Sequence, residues 1–204
     1  TSGDATRVEL AARAPGPVWA LGPEKDAPLY AGLSLATAGP EAAAFICCTG
    51  PVHDDRETAE DYRAPLAAAA ARDLLMLCAN PDRVVQFGDR LLVCGGALAD
   101  LYAALGGRVL MAGKPFAPIY TLALAEAERL AGAPLDRARV LCIGDGLPTD
   151  VKGANDQGLD LMFVAAGIHA GDALAADGAL DPAGVEALLA AEGLHARYAL
   201  PRLV

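Results

Sequence analysis

The most chemically suggestive stretch runs Val140-Leu141-Cys142-Ile143-Gly144-Asp145-Gly146-Leu147-Pro148-Thr149-Asp150. An apolar run that reads as a buried strand enters a glycine turn. The turn carries two carboxylates five residues apart, Asp145 and Asp150, and a helix pattern follows. In open α/β sheets ligands bind beyond the carboxyl ends of the strands, where Asp145 falls. A hard cation such as Mg²⁺ takes oxygen ligands and keeps several waters, so one or two carboxylates can anchor it. The same residue types also cap helices, and this plainer role for Asp145, Thr149 and Asp150 stands beside the metal one. The stretch nearly spells the Gly-x-Gly-x-x-Gly of dinucleotide sites. That reading fails, because Asp145 would set a carboxylate against the pyrophosphate. The next strand also ends Val164-Ala165-Ala166-Gly167, with no acid for the ribose.

Two more features could meet an anion. Lys114, one of three lysines with Lys25 and Lys152, sits in Gly113-Lys114-Pro115 after the apolar Val109-Leu110-Met111. A lysine pinned between glycine and proline at a strand end can hold positive charge over a phosphate, or it is a solvated loop side chain. Thr1-Ser2-Gly3-Asp4-Ala5-Thr6 offers hydroxyls and backbone N–H groups ahead of a helix, an anion cradle or a simple cap.

These residues must be positioned by an α/β framework. The 204 residues are 54% hydrophobic and 21% charged, enough to bury a core in one or two domains. Lysine and arginine total 16 against 26 aspartates and glutamates, a net charge of −10, which argues against nucleic acid and anionic membranes as partners. Short apolar runs at 18–21, 45–48, 74–78, 91–94, 109–111, 140–143 and 161–165 read as strands, several too continuous for a one-sided sheet. They suit a mostly parallel sheet covered on both faces. Helical patterns span 57–72 (capped by Asp54 and Asp55), 97–105, 116–131, 148–157 and 182–191, several stopping at glycine. In 116–131, Phe116, Tyr120, Ala123, Leu124, Ala127 and Leu130 share one arc. The segment 106–115 is a natural seam. Five cysteines, Cys47, Cys48, Cys78, Cys94 and Cys142, lie in or beside apolar runs without a Cys-x-x-Cys, as in a reduced cytoplasmic protein. His53, His169 and His195 lack metal-ligand spacing, although His169 follows a strand and could approach the site.

Taken in order, Thr1-Ser2-Gly3, Gly113-Lys114-Pro115 and Gly144-Asp145-x-x-x-Thr149-Asp150 resemble the motifs of the haloacid dehalogenase (HAD) superfamily. The likeness is greatest to its class IIA phosphatases, the sugar-phosphatase, pyridoxal-phosphatase and nitrophenylphosphatase-like group. Cys78-Ala79-Asn80-Pro81-Asp82, Gly167-Ile168-His169 and the tail from Tyr198 to Leu203 extend the likeness over essentially the whole chain. The resemblance implies a Rossmann-like α/β core, incomplete in lacking its N-terminal strands, with an inserted α/β C2-type cap domain. Residues 1–14 would be a core segment with the phosphate motif, 15–110 the cap, and 111–204 the core domain. It further implies a Mg²⁺-dependent phosphatase acting on a small phosphorylated metabolite through an aspartyl-phosphate. Thr1, Ser2, Gly3 and Lys114 would bind phosphate. Asp145 would ligate Mg²⁺ directly, and Asp150 would ligate through water or orient Lys114. Asn80, Asp82 and the Gly95-Gly96 turn are cap candidates for the substrate, although Asn80-Pro81-Asp82 also reads as a simple turn. Exposed cap surfaces make a homodimer plausible.

The family's nucleophile stands in an Asp-x-Asp-Gly motif that these residues do not contain; Asp54-Asp55 and Asp100 have the wrong context. The expectation is therefore the C-terminal part of a protein roughly 80 residues longer, inactive as it stands. The alternative is a non-catalytic phosphate-binding or regulatory module.

Overall fold

Most continuous apolar runs become strands of parallel sheets, but not all are covered on both faces. Phe45–Cys48 is buried at every position, whereas Leu141 and Ile143 are exposed, so the run expected as a buried strand before the glycine turn is open on one face. The computed structural model describes residues 1–87 and 90–203, with 86, 87 and 90 described for the backbone alone. The chain forms two units, residues 1–113 and 114–204.

The first unit runs α1 (Ser2–Ala11), β1 (Val18–Leu21), β2 (Phe45–Cys48), α2 (Arg63–Ala71), β3 (Leu75–Cys78), β4 (Val84–Phe87), β5 (Arg90–Val93), α3 (Gly95–Ala104) and β6 (Arg108–Met111). A four-stranded, all-parallel sheet has the order β1-β2-β3-β6. Strand β2 is buried at every position, as its unbroken apolar run requires. Its register sets Cys48 beside Cys78. The core gathers Leu21, Ile46, Leu66, Met76, Leu98 and Tyr102, and Trp19 of β1 packs against it half-buried. The Tyr102 hydroxyl, wholly buried, donates to Leu74 O at 2.6 Å, so the polar tip of the ring is satisfied. Helix α1 is tied into this unit by Arg7, whose guanidinium donates to Leu29 O at 2.7 Å and Ala31 O at 2.9 Å.

Two expectations change in this unit. The run at 91–94 does not join the parallel sheet; β5 pairs antiparallel with β4 as a separate ribbon, with Val84, Val85 and Leu91 exposed. The helix expected over 57–72 is a 3₁₀ turn, Ala59–Tyr62, followed by α2. Thr58 and Asp61, rather than Asp54 and Asp55, cap it reciprocally, and this capping box sets the start nearer the apolar stripe.

The second unit runs α4 (Ala117–Ala131), β7 (Leu141–Gly144), a single π-type turn (Leu147–Val151), α5 (Lys152–Asp156), β8 (Asp160–Val164), α6 (Ala170–Ala173), α7 (Pro182–Ala191) and β9 (Tyr198–Leu200). Its parallel sheet has the order β7-β8-β9. The core joins Leu147, Val151, Leu161, Phe163, Val185 and Leu189. Asp181 caps α7 through Ala183 and Gly184 N–H groups, as its position before the proline predicts. Gly132 closes α4 in the left-handed conformation at φ 67°. The apolar arc of α4 is not buried as its spacing predicts: Phe116 and Leu130 are exposed, and Tyr120 packs against the core. Among the described residues no helix is long and apolar enough to cross a membrane. All five cysteines are free thiols; four are buried and Cys142 is half-buried.

Candidate active site

In the second unit the acidic turn is assembled from three segments. Strand β7 delivers Gly144 and Asp145 at its carboxyl end, and the π-type turn brings Asp150 back over Gly144. The Asp150 carboxylate is nearly enclosed, with 14% of its side chain exposed, and both its oxygens are engaged. One accepts from the Lys114 ammonium in an ion pair, and the other accepts from Gly146 N–H at 3.1 Å. The glycines are steric requirements. A Cβ on Gly144 would stand 2.3 Å from Asp150 Cγ, and one on Gly146 would stand 2.4 Å from Thr149 Oγ1. Asp145 Oδ2 accepts from Ile168 N–H at 3.2 Å.

The structure thus brings Lys114, Asp150 and Asp145 to one strand end of one unit. Lys114 offsets Asp150, and among the described residues Asp145 has a backbone donor and no cation. This donor set suits a hard cation held by one carboxylate directly and by waters otherwise. Asp145 fits as the direct ligand, and Asp150, with both oxygens occupied, fits contact through water. Among the described residues no group of three or more His, Cys, Asp or Glu side chains converges as a metal site.

In the first unit, Thr1 is the N-cap of α1. Its hydroxyl donates to Asp4 Oδ2 at 2.7 Å and accepts from Asp4 N–H at 3.2 Å, a complete capping box. Ser2 and Gly3 form the first turn and line a cavity of about 520 Å³ with Lys25, Asp26, Thr49 and Asn80. Thr49 and Asn80 follow the carboxyl ends of β2 and β3, the edge at which α/β sheets bind ligands. Lys25 reaches the carboxylate of Asp54 at 2.6 Å, and this partner raises its pKa. Asn80 Oδ1 accepts from Asp82 N–H at 3.2 Å, an Asx turn, so these two cap candidates make the simple turn that their types also suggest. Asp82 itself is exposed.

Sequence reasoning did not single out Lys25 or Thr49 as site residues. Lys25 could have been noticed only for the scarcity of lysine. Among the described residues the Thr49 hydroxyl is buried without a hydrogen-bond partner, a property invisible in sequence, and His169 Nε2 in the second unit is in the same state. His169 lines a cleft with Leu147, Lys152, Asp156 and His195, and neither Asp145 nor Asp150 is among that cleft's lining residues.

Burial raises the thiols. Cys47 is pushed up to about 11 and Cys78 to about 12, and Cys48 also lies well above its ordinary value. Cys142 is raised by its partial burial and then by the charge of Asp150. Tyr120, half-buried against the core, is pushed up to about 12 by desolvation. These groups are neutral structural side chains at neutral pH.

Comparison with known proteins bears on the family and the fold. The HAD-hydrolase-like family model matches residues 111–197, which hold Lys114, Asp145 and Asp150. A hydrolase of the haloacid dehalogenase-like family from Brucella suis 1330 is 47% identical, over 84% of this chain and 66% of that one, with a TM-score of 0.73. A glycerol phosphate phosphatase from Mycobacterium tuberculosis, solved in complex with calcium, is 29% identical over 86% of this chain and 51% of its own, with a TM-score of 0.61. The p-nitrophenyl phosphatase from Archaeoglobus fulgidus shares the fold at 19% identity and a TM-score of 0.72, covering 98% of this chain and 70% of its own. No curated protein matches the sequence. The chain spans from about half to 70% of the length of these solved relatives. On the acidic turn, the matched segment and the Brucella relative together, the chain belongs to the haloacid dehalogenase-like hydrolases.

Proposed function

We propose that this chain carries the phosphate- and metal-binding part of a Mg²⁺-dependent phosphomonoester hydrolase of class IIA that acts on a small phosphorylated metabolite. The observation that carries the reading is the triad of Lys114, Asp150 and Asp145 at one strand end, with the lysine held by a carboxylate whose second oxygen is fixed by Gly146. Phosphoryl transfer depends on positioning and on offsetting charge at the phosphoryl oxygens. Lys114, tethered by Asp150, presents its ammonium to one such oxygen. The N–H groups of Ser2 and Gly3 and the hydroxyl of Thr1 offer neutral donors to an anion, once the Asp4 carboxylate yields the Thr1 hydroxyl. Bound at Asp145, a Mg²⁺ ion would supply positive charge that makes an acidic turn tolerable to phosphate. The attacking carboxylate is assigned outside these 204 residues, which contain no Asp-x-Asp-Gly motif.

Residues 15–110 are proposed as the cap and 1–14 with 111–204 as the core. Asn80 and Asp82 are its weaker candidates for substrate contact. A cytoplasmic location and a homodimer complete the proposal.

The test is hydrolysis of p-nitrophenyl phosphate, with and without Mg²⁺, by a protein that includes whatever precedes Thr1 in its gene. Lys114→Ala and Asp145→Ala are each expected to lower turnover about 100-fold or more. Undiminished turnover in both variants overturns the assignment. The missing nucleophile motif also favours a second reading, a phosphate-binding module without turnover. That reading predicts phosphate binding by the intact gene product and no Mg²⁺-dependent hydrolysis.

A further inference from the structure

Asp145 is held by the loop that follows a strand other than the one it leaves. Strand β8 ends at Val164, and the loop after it passes beside the carboxylate. Ile168 N–H donates to Asp145 Oδ2 at 3.2 Å. A Cβ on Gly167 would stand 1.8 Å from the same oxygen and 2.4 Å from both Cβ and Cγ of Asp145. Gly167 does not have a positive φ, so its contribution is space rather than backbone freedom. The loop is itself fixed. Ala165 N–H donates to Leu200 O at 2.9 Å, Gly167 O accepts from Ala170 N–H at 3.2 Å, and His169 O accepts from Ala173 N–H at 3.0 Å. The Ile168 side chain is 74% exposed, so the contact that matters is its backbone.

We propose that Gly167 and the Ile168 N–H are positioning groups that hold Asp145 as a one-oxygen metal ligand, and that this cradle favours Mg²⁺ over Ca²⁺. The proposal rests on the reading of Asp145 as the direct metal ligand. With Oδ2 drawn to the backbone donor, Oδ1 is the oxygen presented to a cation. Mg²⁺ accepts single carboxylate oxygens in a strict octahedron filled out by water. Ca²⁺ is larger, takes six to eight oxygens, and often draws both oxygens of one carboxylate. A two-oxygen grip here would have to pull Oδ2 away from Ile168 N–H.

The experiment titrates Mn²⁺ into the 204-residue chain by electron paramagnetic resonance of the free ion, then competes it with Mg²⁺ and with Ca²⁺. Gly167→Ala is expected to weaken Mn²⁺ and Mg²⁺ binding about 10- to 100-fold, the usual range for groups that orient a metal ligand. It is also expected to narrow the preference for Mg²⁺ over Ca²⁺. Two variants serve as controls. Ile168→Ala keeps the N–H, and Gly171→Ala adds a Cβ that meets nothing within 4 Å. Both are expected to bind as the wild type does, and circular dichroism melts check that each variant is folded. Should Gly167→Ala melt far below the wild type, Ile168→Pro carries the same expectation, because it deletes the donor without adding bulk at 167. Wild-type affinity and an unchanged Mg²⁺ to Ca²⁺ ratio in a folded Gly167→Ala overturn the cradle. So does an Ile168→Ala variant as weak as Gly167→Ala. A wild-type chain that binds no Mn²⁺ fails differently: it sinks the metal role of Asp145, and the cradle falls with it.

Discussion

At the start of α1, Thr1 and Asp4 satisfy each other across three residues, both well exposed to water. At the acidic turn, Asp150 takes its cation from Lys114, 36 residues away, and Asp145 takes its donor from Ile168, 23 residues away. A cap that closes within one helical turn forms whenever the helix does, and opens at little cost when a better anion arrives. A turn whose partners come from distant loops exists only when the sheet that brings them together is folded. Its geometry also depends on space, since Gly144 and Gly167 lack the Cβ atoms that would overlap Asp150 and Asp145. The first arrangement suits a site that exchanges ligands. The second suits one that must keep charges in fixed places.

The widest gap between the two should appear on crowding the acidic turn. Gly144→Ala sets a methyl 2.3 Å from Asp150 Cγ. It is expected to cost about 1–3 kcal/mol, typical of overpacking, and to release Lys114 from its partner. Urea unfolding followed by far-ultraviolet circular dichroism reads this, and a wild-type midpoint would show that Asp150 moves freely.

Thiol chemistry separates the units next. Folding raises the Cys47 thiol from 9.0 to about 11 and the Cys78 thiol from 9.0 to about 12, so the folded state retains protons that the unfolded chain releases. The resulting stability is complete below pH 9 and is lost as pH climbs through 11 to 12. Denaturant midpoints should therefore begin to fall above pH 9, and Cys142, the half-buried thiol, should be alkylated by iodoacetamide before the other four. Equal labelling of all five in native buffer would contradict the sealed strands.

Lys114→Met is a milder perturbation, because the ammonium is about half exposed and water replaces much of what it gives. A loss of about 1 kcal/mol is expected, since Asp150 retains only the Gly146 N–H. A loss no larger than that of Lys152→Met, whose ion pair with Asp156 is a surface contact four residues long, would remove any special standing from Asp150. The smallest effect belongs to Thr1→Ala, which should lower helix content slightly and leave the unfolding midpoint in place. A large drop there would mean that α1 is held by its cap rather than by Leu10 and Arg7.

The fold and the site were legible in the sequence to different depths. Runs such as Phe45-Ile46-Cys47-Cys48 announce doubly covered strands because nothing but burial tolerates four consecutive apolar positions. Strands β4 and β9 were not read as strands. The first is exposed at Val84 and Val85, and β9 is three residues long, so neither leaves a clear periodic trace. Spacing gave Asp145 and Asp150 as a pair and composition marked Lys114 as rare. What spacing cannot report is that Gly167 must be small for the sake of a carboxylate on another strand, because that requirement arises only at the sheet edge. The arc on α4 misled for a related reason: amphipathic spacing says that a face is apolar, not that anything covers it.

Trp19, the chain's single tryptophan, lies in β1 against the first unit's core. Intrinsic tryptophan fluorescence is therefore a spectroscopic reporter of residues 1–113 alone. A melt followed at that wavelength would record the parallel four-stranded sheet and miss any earlier or later loss of the acidic turn. Amide hydrogen exchange at Leu161 and Phe163 of β8, both shielded from solvent, would follow the other unit on its own clock.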